Sequence, residues 1–298
     1  MIKRKVMQMS NSSFIVTMPK DWADFNGLIK GEELEFEELG NDLLIKGKES
    51  KKIDLDINVS NLSLDLIWRN LVCAYRKGAN KVTVKYSNEE ELRLIKQFIP
   101  DFIGWAVVEM DKDKVVIKDI IPLENDDFNK TLEKVILLVV DISEKVYTGF
   151  KKQDKDILKN IPYFDYNLNK FCNLCLRILN LKGLKYEKTN SLYKIISILE
   201  EIGDQYRAIA IFSKPIKLSD ELMNLFTLVN KMLREFYDLF YNFDKKRLRE
   251  FYEKAEVILN EFKKFKRSNS TETEIYATLF SVLHMVKSLS EENLVISL

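Results

Sequence analysis

Histidine is almost missing from this chain, with His284 the only one in 298 residues. Zinc hydrolase centres, histidine acid–base catalysis and Ser-His-Asp triads therefore have almost no raw material. Three cysteines, few and odd in number, build no disulfide framework, which fits a reducing compartment. The nine glycines are scattered, with no GxGxxG or Walker grouping to cradle a phosphate. The longest purely apolar run, Val135 to Val140, is bracketed by Lys134 and Asp141 and falls far short of the ~20 residues that span a bilayer. The opening MIKRKVMQMS has charge but no apolar stretch behind it long enough for a signal peptide. Net charge is lacking too: 47 basic residues against 46 acidic ones leave +1, so no global field draws the chain to nucleic acid or anionic lipid. These absences predict a cytoplasmic, soluble protein without membrane insertion, and not an enzyme. Any DNA affinity must come from a local basic surface.

What is present divides into three regions. The 46% apolar content is enough to give each its own core. Residues 1–50 alternate apolar and polar positions. Phe14, Val16 and Met18 interleave with Ile15 and Thr17 in a strand stopped by Pro19, and Lys20 to Ala23 begins a short helical turn. Leu34 to Glu37 and Leu43 to Lys46 read as a second strand pair around the Gly40-Asn41-Asp42 turn. So small a unit can hardly bury enough apolar surface alone, which predicts completion by a second copy, a homodimer.

Residues 51–120 read as an α/β connector of βαβαββ order. Strands are expected at Ile53 to Ile57 and Lys81 to Tyr86, with a helix from Leu64 to Arg76, ended by Gly78, between them. Ser87 with Glu90 predicts a capping box for the next helix, which Pro100 closes, and Ala106 to Glu109 with Val115 to Ile117 predict a hairpin. Residues 121–298 carry helical periodicity almost throughout. The stripes are Leu132, Val135, Ile136, Val139, Ile142, Val146; Leu168, Phe171, Cys172, Cys175, Leu179; and Ile195, Leu199, Ile202, Tyr206, Ile209. Three more helices are expected after Pro215, opening at Ser219 and running from Asp244 to Lys266 and from Thr271 to Leu289. Leu222 stands where a capping box would have Glu or Gln. Two sets of three helices point to an internal duplication. The fold class expected is multidomain α+β.

The segments Arg4-Lys5-Val6, Ser12 to Trp22, Gly27-Leu28, Lys30-Gly31 and Leu43-Leu44-Ile45 resemble, in order and spacing, the SpoVT/AbrB-type swapped-hairpin domain of archaeal regulators. The resemblance implies that two chains interlock their hairpins into one β-barrel whose basic side chains lie along DNA. It covers roughly the first 45 residues, and Ser10-Asn11 stands where the family often has glycine. On a strand Lys3 and Lys5 would share one face and Arg4 the other. Doubled by a dimer, Lys3, Arg4, Lys5 and Lys20 would grip phosphates, with Ser10, Asn11 and Ser12 as short polar contacts. The plainer alternative is a set of solvated charges at a chain terminus, and Glu32, Glu33, Glu35, Glu37 and Glu38 weigh against DNA unless they face away from it.

The segment Leu199-Glu200-Glu201-Ile202-Gly203-Asp204-Gln205 stands where PhoU domains carry their signature, and the helical region resembles PhoU: two antiparallel three-helix repeats. The resemblance implies a metal cluster held by acidic residues at four-residue spacing on neighbouring helices. Here Glu200 and Asp204 stand one turn apart, with Gly203 allowing close approach, and Asp165 and Asn169 repeat the spacing on the preceding helix. Together they could hold a divalent metal or iron. Asn169 departs from the carboxylate of that pattern, and around Glu253 and Val257, and His284 and Ser288, the second repeat lacks the paired carboxylates. The alternative is an exposed face with ion pairs to Arg207 or Lys194; buried carboxylates would need a cation between them.

Cys172 and Cys175 form a CxxC inside an apolar stripe, and Cys73 lies within Leu71-Val72-Cys73-Ala74; core packing is expected for all of them. His284 is expected to be structural, and Lys263, Lys264, Lys266 and Arg267 to complement a helix C-terminus. The resemblances imply a DNA-binding transcriptional regulator of phosphate uptake. The alternative is an adaptor that regulates a phosphate-transporter ATPase or signalling kinase through protein contacts.

Overall fold

A computed structural model describes residues 2–10, 13–45, 47, 52–121, 127–182, 186–212, 217–265 and 270–298. The chain divides into two compact units, Met1–Ile53 and Asp54–Leu298. It is mixed α+β, with small sheets toward the N-terminus and helices filling the C-terminal half.

In the first unit β1 (Val6–Ser10) pairs antiparallel with β2 (Ser13–Val16), aligning Val6 with Val16 and Met7 with Ile15. A short helix, α1 (Lys20–Phe25), follows Pro19, whose fixed φ and missing N–H suit a helix start. A second hairpin joins β3 (Phe36–Leu39) to β4 (Asp42–Ile45) through Gly40, whose φ of +57° is one that glycine adopts without strain. The hairpins are separate two-stranded sheets, and apolar side chains remain exposed on both: Val6, Met9, Phe14 and Val16 on one, Phe36 and Leu43 on the other. Among the described residues of this unit only Asn26 is buried, donating through its amide to the Trp22 carbonyl at 2.8 Å.

The second unit opens with the expected βαβαββ order. Strands β5 (Asp54–Asn58), β6 (Lys81–Lys85), β7 (Trp105–Met110) and β8 (Lys114–Asp119) form one sheet in the order β5-β6-β8-β7, with β5 and β6 parallel and the other pairs antiparallel. Helix α2 (Leu64–Arg76) ends as the sequence predicts, with Gly78 at φ +89°. Helix α3 (Glu89–Phe98) starts one residue later than expected. Asn88, not Ser87, is its cap, accepting from the Glu91 amide at 2.9 Å, while the Glu91 carboxylate takes the Ser87 amide at 2.7 Å. The box shifts because buried Glu91 also accepts from the Asn61 amide at 2.7 Å, whereas Glu90 is exposed beside Arg93. Trp68, Tyr75, Phe98, Phe102 and Trp105 pack ring against ring in the core of this region.

Helices α4 (Asp127–Lys152), α5 (Lys155–Lys182) and α6 (Tyr186–Phe212) pack together as one triple, and α7 (Asp220–Tyr241), α8 (Lys245–Lys264) and α9 (Ser270–Ser297) as another; α4–α7 and α6–α9 contacts join them. The predicted stripes are buried in one continuous core, apart from Phe171, which is half-buried against it. Across the junction Tyr206 donates to Asn230 at 2.7 Å and the Asn230 amide to the Ser143 carbonyl at 2.9 Å. Helix α9 runs past the expected end at Leu289 because buried Asn293 donates to the Leu239 carbonyl at 3.1 Å, holding the polar stretch Ser290 to Asn293 against α7. Helix α2 packs on α5, so the sheet region and the helices form one body. No helix among the described residues is long and apolar enough to cross a membrane.

Candidate functional site

Helices α5 and α6 approach closely at Gly203, where an added Cβ would collide with Leu168 and lie 3.4 Å from the Asp165 carboxylate. The near-contact brings the predicted acidic residues to one seam. Asp165 is only 4% exposed, and Arg207 holds it: Nε lies 2.8 Å from Asp165 Oδ2, and Nη2 donates to Asp204 Oδ1 at 2.8 Å. Glu200 is held instead by Arg76 of α2, whose Nη2 reaches both carboxylate oxygens at 2.9 and 3.1 Å while Nε donates to Asn173 Oδ1 at 2.6 Å. Lys194 is occupied by Glu292 at 2.6 Å and takes no part.

Burial, with the Asp204 charge second, pushes the Asp165 carboxyl up to about 6, and Arg207 restrains the rise. Burial likewise raises Glu200, opposed by the Arg76 guanidinium. The cations among these carboxylates are therefore guanidinium groups. With an amide at Asn169 and an arginine on each of the three carboxylates, the seam does not fit a divalent metal or iron unless an arginine is displaced. Among the described residues no three His, Cys, Asp or Glu side chains converge as a metal site.

Next to this seam, α2 faces α5 and α6 across a cleft of about 720 Å³. Trp68, Arg69, Arg76 and Lys77 line one side, and Asn169, Asn173, Asn180, Tyr193 and Glu200 the other. Cys73 also lines it and is exposed, which corrects the expectation of a core cysteine: the apolar face of α2 is carried by Ile67, Leu71, Ala74 and Tyr75, and position 73 falls on the opposite face. Cys172 and Cys175 are fully buried, as their stripe predicts. His284 is exposed and stacks edge-on against Phe280, with centroids 4.6 Å apart.

In the first unit Lys3, Arg4 and Lys5 precede β1 and are not part of a strand, so the expected division between two strand faces does not apply. Pairing starts at Val6 opposite Val16, and the partner strand gives out before Pro19, which has no N–H to offer. All of them, and Lys20 at the start of α1, are exposed. Ser10 ends β1, while Asn11 and Ser12 lie outside the described residues. The Glu32 carboxylate turns back to the Ile29 amide at 3.1 Å.

No protein-family model matches the sequence. An uncharacterized protein of Methanocaldococcus jannaschii is 33% identical over 121 residues, covering 38% of this chain and 42% of its own length, so the chain spans less than half of that relative. Among solved structures, that of the phosphate transport system regulatory protein PhoU from Streptococcus pneumoniae is similar over 57% of this chain and 93% of its own, with a TM-score of 0.49 and 18% identity.

Sequence reasoning found the carboxylates and offered Arg207 as an ion-pair partner, which holds Asp165 and Asp204, but it missed Arg76. Arg76 lies in another region of the chain from Glu200, and no local spacing announces the pairing. Arg177 was missed as well: fully buried on the face of α5 opposite the Leu168–Leu179 stripe, where α5 meets α2, it pairs with Asp119 at 2.6 Å. No local signal announced it, since the period places position 177 opposite that stripe, where a charged side chain reads as solvated.

Proposed function

We propose that this chain is a homodimeric regulatory protein of phosphate uptake that acts through contacts with other proteins rather than by chemistry. The observation that carries the reading is the apolar surface of the first unit. Val6 is 64% exposed, Met9 77%, Phe14 69%, Phe36 56% and Leu43 58%, on hairpins of only two strands each. Isolated two-stranded hairpins are marginal in water, and an apolar surface of this extent calls for a protein partner. Within the unit, Phe14, Val16, Trp22, Phe36, Leu43 and Ile45 frame a largely apolar cleft of about 810 Å³. A second copy of the same hairpins, interlaced into a barrel, fills such a surface by self-complementarity. The dimer then presents two helical units, each with its seam carboxylates neutralised internally, as rigid docking bodies. Phosphate uptake is assigned on the resemblance of Leu199 to Gln205 to the PhoU signature.

Sedimentation equilibrium tests the first half: the native chain is expected to be a dimer and the Phe14→Ser/Leu43→Ser variant a monomer with its helical content intact. Binding of the purified dimer to the phosphate-transporter ATPase or phosphate-sensing kinase of the same organism tests the second; failure to bind either removes the adaptor reading.

DNA binding is a second reading, favoured by one observation. Lys3, Arg4, Lys5 and Lys20 are exposed, and none makes an ion pair with a described residue. Doubled in a dimer they are free to meet phosphates, and binding should then weaken steeply with salt. Arg4→Ala and Lys5→Ala should each lower the salt slope by about one.

A further inference from the structure

We infer that the cleft between α2 and the α5–α6 pair binds a nucleoside phosphate. The chain as a whole is nearly neutral, yet α2 turns Arg69, Arg76 and Lys77 toward this one cleft, and the only acidic side chain lining it is Glu200. Glu200 is taken by Arg76. Arg69 and Lys77 make no ion pair with any described residue, so two positive charges stand uncompensated at the mouth.

The C-terminal carbonyls of α2 would ordinarily repel an anion here. They are covered. The Arg177 guanidinium donates to the Tyr75 carbonyl at 2.7 Å and to that of Ala79 at 2.9 Å, and the Asn180 amide donates to the Arg76 carbonyl at 2.6 Å. What remains facing the cleft is donor-rich, the chemistry of a phosphate site.

The rest of the cleft asks for more than an inorganic anion. Its volume of about 720 Å³ is in the range of small-molecule and cofactor sites. Trp68 is half-buried and fixed by stacking on Phe102 at 5.2 Å, and Tyr193, 37% exposed, stands on the other side; both offer flat apolar surface to a ring. Asn169 also lines the cleft, and its amide oxygen is buried and has no hydrogen-bond partner, an unsatisfied acceptor in the wall of a ligand-sized site. Phosphate oxygens mostly accept and leave it unpaired, whereas the amino group of a nucleobase donates to it. Cations for the phosphates, rings for the base and a buried acceptor for its amino edge are thus gathered in one place. This assignment is independent of the reading as a regulator of phosphate uptake, since neither the dimer nor its docking partners enter it.

Calorimetric titration of the full-length protein with ATP, GTP, AMP, adenosine and inorganic phosphate tests it. At least one of the nucleotides is expected to bind more tightly than adenosine and than inorganic phosphate. Arg69→Ala and Lys77→Ala alter exposed side chains without ion-pair partners, so they should fold normally by circular dichroism and each weaken nucleotide binding about tenfold. A second readout uses Cys73, the exposed thiol in the cleft, against the buried Cys172 and Cys175. Saturating nucleotide should slow its modification by a thiol reagent in the native protein and lose that effect in Arg69→Ala. Absence of nucleotide binding, binding that neither variant weakens, or inorganic phosphate binding as tightly as every nucleotide would each overturn the proposal.

Discussion

Arg177 has no exposed surface, and its guanidinium lies 4.8 Å from the Tyr75 ring centroid while bonding the Tyr75 and Ala79 carbonyls and the Asp119 carboxylate. A buried ion pair is an ambiguous source of net stability, but breaking one by removing a single partner leaves a stranded charge. Arg177→Met is therefore expected to lower stability by about 3–5 kcal/mol in urea denaturation, and adding Asp119→Leu should recover part of that loss; equal losses in the single and double variants would contradict the pairing. Asp165 behaves differently. Its folded-state value of about 6 lies above the 3.8 of a free aspartate, so the folded chain holds that proton more tightly than the unfolded one. The stabilisation is complete below pH about 4 and is lost as pH rises through about 6. Asp165→Asn should flatten the fall in stability between those limits by about 1–2 kcal/mol once solvent screening is allowed for. A slope identical to that of the native chain would show that Asp165 is not the titrating group. The candidate carboxylates were legible in the sequence because four-residue spacing on one helix is local information. Arg76 was not, because it meets Glu200 from 124 residues away.

At the scale of elements, the start of α7 shows how a missing local signal is supplied from elsewhere. Ser219 accepts from the Leu222 amide at 3.4 Å, the ordinary half of a capping box. The other half, which Leu222 cannot give, comes from Glu272 at the start of α9: only 3% exposed, it takes the Ser219 amide at 2.6 Å. Glu272 thus ties two helix starts together and relieves a backbone donor that α7 leaves unpaired. Glu272→Ala should cost about 1–2 kcal/mol, more than the ~1 kcal/mol of Ser219→Ala. Urea melts with unchanged m-values measure both, and a neutral Glu272→Ala would refute the cross-helix cap. The long stripes were readable because burial against neighbouring helices enforces their period. The α3 cap slipped by a residue because Glu91 is selected by its distant partner Asn61, which no window around Ser87 contains.

For the molecule as a whole, the physical border lies near Ile53, and residues 54–298 form one unit. Beside the Arg76 contacts to Glu200 and Asn173, two features weld the sheet region to the helices. Arg177 of α5 is buried among carbonyls of the α2 C-terminus and the Asp119 carboxylate, and Gly78 leaves no room for a side chain beside Leu181, where an added Cβ would come within 2.6 Å. A fragment comprising Asp54–Leu298 should accordingly be a folded monomer that unfolds in a single transition independent of protein concentration, while the full chain is expected to be a dimer. Two probes test the single transition directly. Trp68 and Trp105, the fragment's tryptophans, sit in the sheet region, whereas far-UV circular dichroism is dominated by α4–α9. Coincident guanidinium curves by fluorescence and dichroism are expected for the fragment, as for any cooperative unit. In Arg177→Met the two curves should move apart, fluorescence first, since the buried ion pair that couples the regions is removed. Separate transitions already in the native fragment would mean that the sheet region and the helical bundle fold independently, and that the buried arginine does not join them.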